Sequence, residues 1–331
     1  MYDIFYVGDH NLRNRFPTAK QVKSFEEAQK QSLTKMFWIV WPDITVVEDF
    51  DFTYKVDVYN EQYIHVFKNR SVYDGICLFP KGRKVHKREL DFMFFSKKKE
   101  VDIKASIPKL YDIVFISYQE PDADNNYKQL LERFPRAKRI HGVKGIHRAH
   151  IEAAKQCDTD MFWIVDGDAQ IVEDFNFDYQ VPKWRRDQVF VWHSQNPIND
   201  LVYGYGGLKL FPRKETLLMD TDSADMTTSI SPKFNVVEQV SNITAFNTDP
   251  FNTWKSAFRE CAKLASKTID RQNEDETNER LKTWTTVGHD RPYGEYALGG
   301  ATDGMEFGLS NKSDLSLIND FDWLKQKFKE A

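Results

Sequence analysis

The sequence predicts an α/β protein of two internally duplicated domains, each with a mixed, mostly parallel sheet and flanking helices. The first observation is a repeat: residues 36–56 align without gaps on residues 161–181, with 13 identities in 21 positions. The second is that short apolar segments alternate with helical ones inside each copy. That order produces parallel strands joined by crossover helices. Each copy is therefore expected to be a whole domain.

The second copy shows the elements in order. Residues 111–117 form a β-branched and aromatic run that predicts the first strand, and residues 125–134 place Leu130 and other apolar residues at helical spacing. A second helix is predicted over residues 149–157, before a wholly apolar strand over residues 161–165. Apolar character on both faces indicates that this last strand is buried in the sheet.

The remaining segments complete the domain assignment. After the second copy, Asp249-Pro250 predicts a helix start, with a capping carboxylate and a proline at the first helical position, leading into residues 254–266. The lysine-rich residues 97–109 are predicted to link the two copies. We assign residues 1–105 to the first copy, and residues 106–331 to the second copy with a C-terminal helical extension.

Composition excludes several classes of protein. With 41% hydrophobic and 14% aromatic residues, the chain is predicted to be folded and soluble. Its three cysteines fit neither a disulfide framework nor a Cys-based zinc site. No apolar run approaches the roughly 20 residues that span a bilayer, and the N-terminal residues show no secretory leader. We therefore expect a cytoplasmic protein without membrane contact.

The charge distribution is uneven. A net charge of -4 excludes a uniformly basic nucleic-acid-binding surface. However, residues 81–104 hold nine Lys and Arg against four acids, and residues 133–150 hold six Lys and Arg, three His and no acid. Each segment fits either a solvated face or a surface for an anionic partner.

Asp166-Gly167-Asp168 is the main candidate for chemistry. It follows the predicted buried strand directly, and ligands of open α/β sheets bind just beyond the carboxyl ends of the strands. Two carboxylates separated by one small residue are able to place oxygens on one hard cation, which in turn binds a diphosphate. The alternative is that they only cap the following turn. In the first copy the aligned residues are Trp41-Pro42-Asp43, so the scaffold does not need Asp166.

A basic helix start precedes this motif. His147 and Arg148 align with Val22 and Lys23 when the glutamates that follow in each copy are matched. At a glycine-flanked helix N-terminus they suit an anionic or ribosyl part of a nucleotide, the alternative being an exposed basic turn. Downstream, a glycine-rich segment predicts either a sugar pocket or a turn between strands, with the candidate residues Tyr205, Gly206 and Gly207.

The apolar strand ending in Asp-Gly-Asp, the basic helix before it and the Gly-Gly loop after it resemble GT-A type glycosyltransferases. The whole chain is similar to phage-encoded members, the DNA 5-hydroxymethylcytosine glycosyltransferases such as the T-even-like phage arabinosyltransferases. The resemblance implies a GT-A-like, Rossmann-like fold for both copies. It also implies that Asp166 and Asp168 hold Mn²⁺ or Mg²⁺ against a nucleoside diphosphate sugar, with Gly167 beside this donor. A UDP-sugar is the favoured donor.

The same resemblance implies roles near the C-terminus. Many such enzymes recruit a C-terminal histidine as a further metal ligand, and His289 is the candidate here, the alternative being a structural histidine. Asp290 and Glu295 are the candidates for deprotonating the acceptor hydroxyl if the reaction inverts the anomeric centre. Retention and inversion are not distinguished by the sequence.

Three functions are compatible with these patterns. The leading one is sugar transfer to a hydroxyl acceptor, which the resemblance implies is 5-hydroxymethylcytosine in phage DNA within the host cytoplasm, with the first copy helping to hold the acceptor. The second is a transferase acting on lipopolysaccharide, another glycan or a protein. A non-catalytic nucleic-acid-binding protein is the alternative of another class. Nucleotide-sugar synthesis is disfavoured because no glycine-rich N-terminal nucleotide loop is present.

Overall fold

The computed structural model divides the chain into two compact units. The first unit consists of Met1–Leu110 together with Asp178–Arg186, and the second of Tyr111–Phe177 together with Asp187–Ala331. Asp178–Arg186 thus begins inside the repeated segment of the second copy but belongs to the first unit, which the sequence did not indicate. The described residues are 1–8, 12–68, 75–92, 95–204, 206–222, 226–267, 273–312 and 314–330.

The first unit is a mixed sheet flanked by short helices. Its elements are β1 Asp3–Val7, α1 Leu12–Arg15, β2 Lys20–Val22, α2 Phe25–Gln31, β3 Met36–Val40, β4 Ile44–Val46, β5 Ile64–Lys68, β6 Gly75–Pro80, α3 Lys87–Phe92, β7 Lys98–Val101 and β8 Ser106–Pro108. Two 3-10 turns, Val58–Asn60 and Lys183–Arg185, complete it. The sheet runs in the order β2-β1-β3-β6-β5-β7, and β4 pairs with β8.

The second unit begins with the same succession of elements. These are β9 Asp112–Ser117, α4 Ala123–Arg133, β10 Lys138–His141, α5 Ile146–Lys155, β11 Met161–Asp166, β12 Ala169–Ile171, β13 Val189–Gln195, β14 Val202–Tyr203 and β15 Leu208–Pro212. It continues with α6 Arg213–Leu217, α7 Met226–Ile230, β16 Phe234–Thr244, α8 Pro250–Ser266, α9 Glu274–Thr286, α10 Gly294–Ser310, a 3-10 turn Ser316–Asn319 and α11 Phe321–Glu330.

The two sheets follow one plan. The second runs β10-β9-β11-β15-β13-β16-β12, so its first six strands match those of the first unit position by position. In each sheet the first three strands are parallel, and the fourth is antiparallel to the third, with Phe37 opposite Phe79 in one unit and Phe162 opposite Phe211 in the other. The predicted α/β class and the internal duplication are therefore confirmed.

A carboxylate at the start of the first strand repeats in both units. Oδ2 of Asp112 accepts hydrogen bonds from the backbone N–H of Asp158 at 2.8 Å and of Thr159 at 3.1 Å. Oδ2 of Asp3 accepts in the same way from Leu33 and Thr34. Burial alone would raise the pKa of Asp112, but these donors outweigh it and hold the pKa below its usual value. These hydrogen bonds fix the loop that leads into β11 in the second unit and into β3 in the first.

Two sequence expectations about local structure have opposite outcomes. The side chain of Asp249 caps α8 by accepting from the N–H of Asn252 at 2.8 Å, which confirms the predicted helix start. The expectation that residues 97–109 form a linker is wrong, because Lys98–Val101 is strand β7 of the first sheet and Ser106–Pro108 pairs with β4. Three consecutive charged residues, Lys98-Lys99-Glu100, on an edge strand hid this strand from the periodicity argument.

Helices α8 and α10 pack unusually close together. Gly300, Gly304 and Gly308 recur every fourth residue of α10, and a side-chain carbon at any of them would overlap a backbone carbonyl of α8. The indole N–H of Trp254 also donates to Oδ2 of Asp303 at 2.8 Å, which joins the pair further. None of the helices in the described part of the chain is long and apolar enough to cross a membrane.

Replacing Gly304 with alanine is expected to destabilise the second unit by about 1–3 kcal/mol, because the new methyl group overlaps the Phe258 carbonyl oxygen. Gly299→Ala is the matched control on the same helix, since no described atom lies within 4 Å of its added carbon. That variant should be more stable by about 0.5–1 kcal/mol through helix propensity. Urea unfolding of both proteins measures the difference, and equal effects would contradict the close packing.

Candidate active site

Asp166 ends β11 and leaves the sheet at the carboxyl end of the parallel strands, as the sequence predicted. Its N–H donates to the Gly207 carbonyl at 2.8 Å. In return its Oδ2 accepts from the N–H of Gly207 at 3.2 Å and from Nζ of Lys209, on the antiparallel neighbour β15, at 3.3 Å. The side chain keeps 34% of its surface exposed. Asp166 is therefore fixed on one side and open to a ligand on the other.

Gly167 allows a third carboxylate to approach. A side-chain carbon at Gly167 would lie 2.7 Å from Oε2 of Glu120, which accepts from the N–H of Tyr118 at 2.7 Å. Buried Asn126 on α4 donates through Nδ2 to the Gly167 carbonyl at 3.0 Å. Gly167 thus leaves room for the Glu120 carboxylate, and a side chain at this position would displace it from the motif.

A cavity of about 100 Å³ opens beside Asp168. Its wall comes from the loop after β9, from the motif itself and from the C-terminal helices. Among the described residues it includes Glu120, Asn126, Gly167, Asp168, Phe246, Lys255, Arg259 and Phe321.

Two cations from α8 share this cavity with the carboxylates. Nζ of Lys255 lies 4.8 Å from the centre of the Phe321 ring. Burial lowers the pKa of Lys255, and the charge of Arg259 lowers it further. Arg259 itself is anchored, since it donates through Nε to the Ile318 carbonyl at 2.9 Å and through Nη2 to Oδ1 of Asn319 at 3.0 Å. The guanidinium group is therefore held in one orientation against the cavity.

The Asp168 carboxyl group is poorly solvated. Part of its surface opens onto the cavity, but the surrounding protein removes most of its hydration. This desolvation and the negative charges of Asp166 and Glu120 together raise its pKa to about 7. A crowded carboxylate of this kind is stabilised by any cation that binds to it.

The donor set fits part of a divalent-metal site. Asp166 and Asp168 supply the hard oxygen ligands that Mn²⁺ and Mg²⁺ prefer. Within the described ranges no three His, Cys, Asp or Glu side chains are arranged to hold a metal. Mg²⁺ commonly binds through one or two carboxylates together with substrate phosphates, so the pair agrees with a site that the substrate completes.

His150 is a buried neighbour of Asp166 that the sequence analysis missed. Its Nδ1 lies 2.8 Å from the Ile146 carbonyl oxygen, and burial lowers its pKa to about 4, against the opposing charge of Asp166. The imidazole is therefore neutral at pH 7. Its Nε2, like the Nε2 of His147, is buried without a hydrogen-bond partner in the described structure. Buried nitrogens in this state are candidates for a ligand contact.

The strand register corrects the alignment of His147 and Arg148. Val22 lies in β2, and its counterpart in β10 is Ile140. The match of His147 with Val22 is therefore wrong. Both residues instead belong to residues 141–149, which replace only two residues of the first unit.

This insertion gives α5 a first turn that α2 lacks. The turn starts at Gly145, whose φ of 95° lies in the left-handed region that favours glycine. His147 is partly buried and Arg148 is exposed. After the turn, His150 stands where the first unit has Phe25, and this exchange of a core phenylalanine for histidine was the sequence signal that could have identified it.

The other predicted residues lie in two places. Gly206 and Gly207 form the turn beside Asp166, whereas Tyr205 lies outside the described residues. Three predicted residues are exposed around the start of α10 and do not belong to the described wall of the cavity: His289, Asp290 and Glu295. Their roles as metal ligand and bases remain predictions.

No family model matches the chain, and no curated protein sequence matches it. Among solved structures, HddC from Yersinia pseudotuberculosis is 13% identical with a TM-score of 0.24, over 39% of this chain and 69% of HddC. HddC complexed with GMP-PN is 12% identical with a TM-score of 0.25, over 40% of this chain and 90% of HddC. The third structure is the mannosyltransferase PcManGT from Pyrobaculum calidifontis in complex with GDP-Man and Mn²⁺. It is 12% identical with a TM-score of 0.34, over 67% of this chain and 83% of PcManGT. Values this low carry no argument about what this chain binds.

Replacing Asp168 with asparagine is expected to stabilise the protein more at pH 8 than at pH 5. Its folded-state pKa of about 7 exceeds the unfolded value of 3.8, so the folded state stays protonated to higher pH than the unfolded state. The free energy of unfolding that Asp168 contributes therefore falls as pH rises from the unfolded pKa to the folded pKa. The gain of Asp168→Asn over wild type should grow by about 1–2 kcal/mol, given ~1.4 kcal/mol per pKa unit and some solvent screening.

Urea unfolding at both pH values, with chelator present, measures this difference. The exposed Asp174→Asn is the control and should change stability equally at both. A pH-independent gain for Asp168→Asn would show that the carboxylate is not strained by its neighbours.

Proposed function

We propose that the second unit binds a nucleoside diphosphate sugar together with a divalent cation and transfers the sugar to a hydroxyl group. One observation carries the proposal: the crowded carboxylate Asp168 lines a cavity that also presents Lys255 and Arg259, and the charge of nearby Asp166 acts on Asp168. A metal-bound diphosphate needs both kinds of group, carboxylates for the metal and cationic donors for the phosphate oxygens.

The carboxylates and the cations bind different parts of the metal-bound donor. Asp166 and Asp168 would hold Mn²⁺ or Mg²⁺, which when bound neutralises charge that develops on the leaving diphosphate. Lys255 and Arg259 bind the phosphate oxygens, and the anchored guanidinium of Arg259 binds them without further loss of side-chain freedom. His147 and Arg148 are proposed to contact the nucleotide from the inserted turn of α5.

The size of the cavity limits what it encloses. At about 100 Å³ it is well below the 300–1,000 Å³ of pockets that enclose whole drug-sized ligands. It therefore fits a phosphate group rather than a whole nucleotide sugar. The sugar and the nucleoside are expected to extend outside it, the sugar toward the Gly206-Gly207 turn.

In the transfer, the bond from the anomeric carbon to the diphosphate oxygen breaks and the acceptor oxygen bonds to that carbon. The acceptor hydroxyl gives up its proton, and Asp290 and Glu295 are the proposed bases. For the acceptor we propose 5-hydroxymethylcytosine in DNA, on the resemblance of the whole chain, with arabinose among the sugars to be tested.

Turnover is expected with one of a panel of UDP- and GDP-sugars in the presence of Mn²⁺, with hydroxymethylcytosine DNA as acceptor. Asp166→Ala and Asp168→Ala should each reduce the rate by roughly 10²-fold or more, because the leaving charge is no longer neutralised. Release of the nucleoside diphosphate, with and without chelator, is the measurement.

Asp174→Ala is the control and should retain the wild-type rate. Transfer to lipopolysaccharide or another glycan in place of DNA would overturn the acceptor but leave the reaction standing. Equal inactivity of all proteins with every donor would instead favour a binding protein.

Lys255→Met is expected to raise the KM for the donor by roughly 10- to 100-fold with a smaller effect on kcat, because a charge-assisted hydrogen bond present in both ground and transition states is lost. Lys263→Met on the same helix is the control, since Lys263 pairs with Glu260 at 2.9 Å and does not line the described cavity. A reduced kcat at unchanged KM would contradict a binding role for Lys255.

A further inference from the structure

Charge is divided unequally between the two units. The first unit holds 22 Lys and Arg against 16 Asp and Glu, a formal charge of +6, and the second holds 24 against 34, a formal charge of -10. The overall value of -4 therefore hides a basic unit and an acidic one. Asymmetry of this kind is typical of chains in which one part meets a polyanion.

The first unit does not repeat the pair of open carboxylates of the second unit. Asp43, the counterpart of Asp168, accepts from Nη1 of Arg186 at 3.0 Å and lies 3.5 Å from Nζ of Lys183. Lys183 also stands 5.2 Å from the centre of the Trp41 ring, and Trp41 replaces Asp166. Lys183 and Arg186 therefore neutralise the one carboxylate that the first unit retains, and Trp41 stands in the place of the other. A different role is open to the first unit.

The positive charge is concentrated in three segments that contain no acid. Residues 81–88, 97–99 and 183–186 hold 11 of the 22 Lys and Arg of the unit. Nine of the 11 remain when Lys183 and Arg186, which pair with Asp43, are set aside. The segments adjoin one another. Arg83 donates to Oγ of Ser96 at 3.2 Å, Glu89 accepts from the N–H groups of His86 and Ser96, and α3 packs against Lys183–Arg185. We call these three segments the basic face.

Aromatic rings accompany the cations of the basic face. Nζ of Lys99 lies 5.3 Å from the centre of the Tyr63 ring. Trp184 is 39% exposed, and Tyr59, in the 3-10 turn just before β5, is 87% exposed. Cations that follow a phosphate backbone, next to rings on which bases stack, are the usual equipment of surfaces that bind single-stranded nucleic acid.

We propose that the basic face of the first unit is a docking surface for a nucleic-acid strand. Salt-sensitive contacts from lysines such as Lys84, Lys87 and Lys97 hold the phosphates, and the exposed rings stack on bases. The proposal deepens the proposed function, on which it rests for the identity of the acceptor. Binding itself is measured without sugar donor, so failure of one does not imply failure of the other.

Fluorescence anisotropy of the full chain with a labelled single-stranded oligonucleotide, at increasing KCl, tests the proposal. The combined variant Lys97→Glu, Lys98→Glu, Lys99→Glu should weaken binding at least tenfold and reduce the slope of log affinity against log salt by about 2. The matched control is Lys325→Glu, Lys327→Glu, Lys329→Glu on α11, which makes the same charge change in the acidic unit and should bind like wild type.

A second variant, Lys84→Glu with Lys87→Glu, lies outside the strands and guards against misfolding of β7. Its binding should also fall. Equal loss in the α11 control would show a general effect of net charge and overturn the proposal. It is likewise overturned if wild type binds the oligonucleotide without salt dependence, or binds phosphatidylserine vesicles but no oligonucleotide.

Discussion

Trp163 is fully buried in the middle of β11, where its ring lies 4.5 Å from that of Trp192 and 5.3 Å from that of Phe177. Burying such a ring stabilises a fold by about 3–5 kcal/mol relative to alanine. Because Phe175 and Phe177 follow the acidic motif in sequence, their packing on Trp163 requires the chain to turn back sharply after β11. The turn is Asp166-Gly167-Asp168, so the packing that stabilises the strand also sets where the carboxylates leave the sheet.

The first unit shows that this scaffold does not by itself produce the site. Trp38 packs with Phe50 and Phe52 in the same way, and the turn that results carries Asp43. Burial would raise the pKa of Asp43, but Lys183 and Arg186 outweigh it and lower the pKa. Asp168 has no such cationic partner on its carboxylate in the described structure, and its pKa moves the other way. One backbone thus gives either an ion-paired carboxylate with a lowered pKa or a carboxyl group with a raised pKa, according to what the rest of the chain supplies.

The sequence predicted the parts of this protein that depend on local patterns. The repeated Met-Phe-Trp-Ile-Val strand, the acidic turn after it and the cap at Asp249 each have a signal within a few residues, and each is present. Lys255 and Arg259 have no such signal, because they are close to Asp168 only after β16 and α8 have formed. Glu120 was likewise hidden, since its approach depends on the absence of a side chain at Gly167. The repeat misled in one respect, because matching glutamates across the copies concealed the insertion at residues 141–149.

The route of the chain through Asp178–Arg186 has a consequence for synthesis in the cell. A nascent chain that has reached residue 110 holds the whole sheet of the first unit, but the partners of Asp43 are still 73 to 76 residues away. At ribosomal rates of about 5–20 residues per second, Asp43 waits roughly 4–15 s before Lys183 and Arg186 are added. The N-terminal unit is therefore not complete until Tyr111–Phe177 of the second unit has also been made, and a chaperone that shields a growing chain would meet it with Asp43 still lacking its two cationic partners.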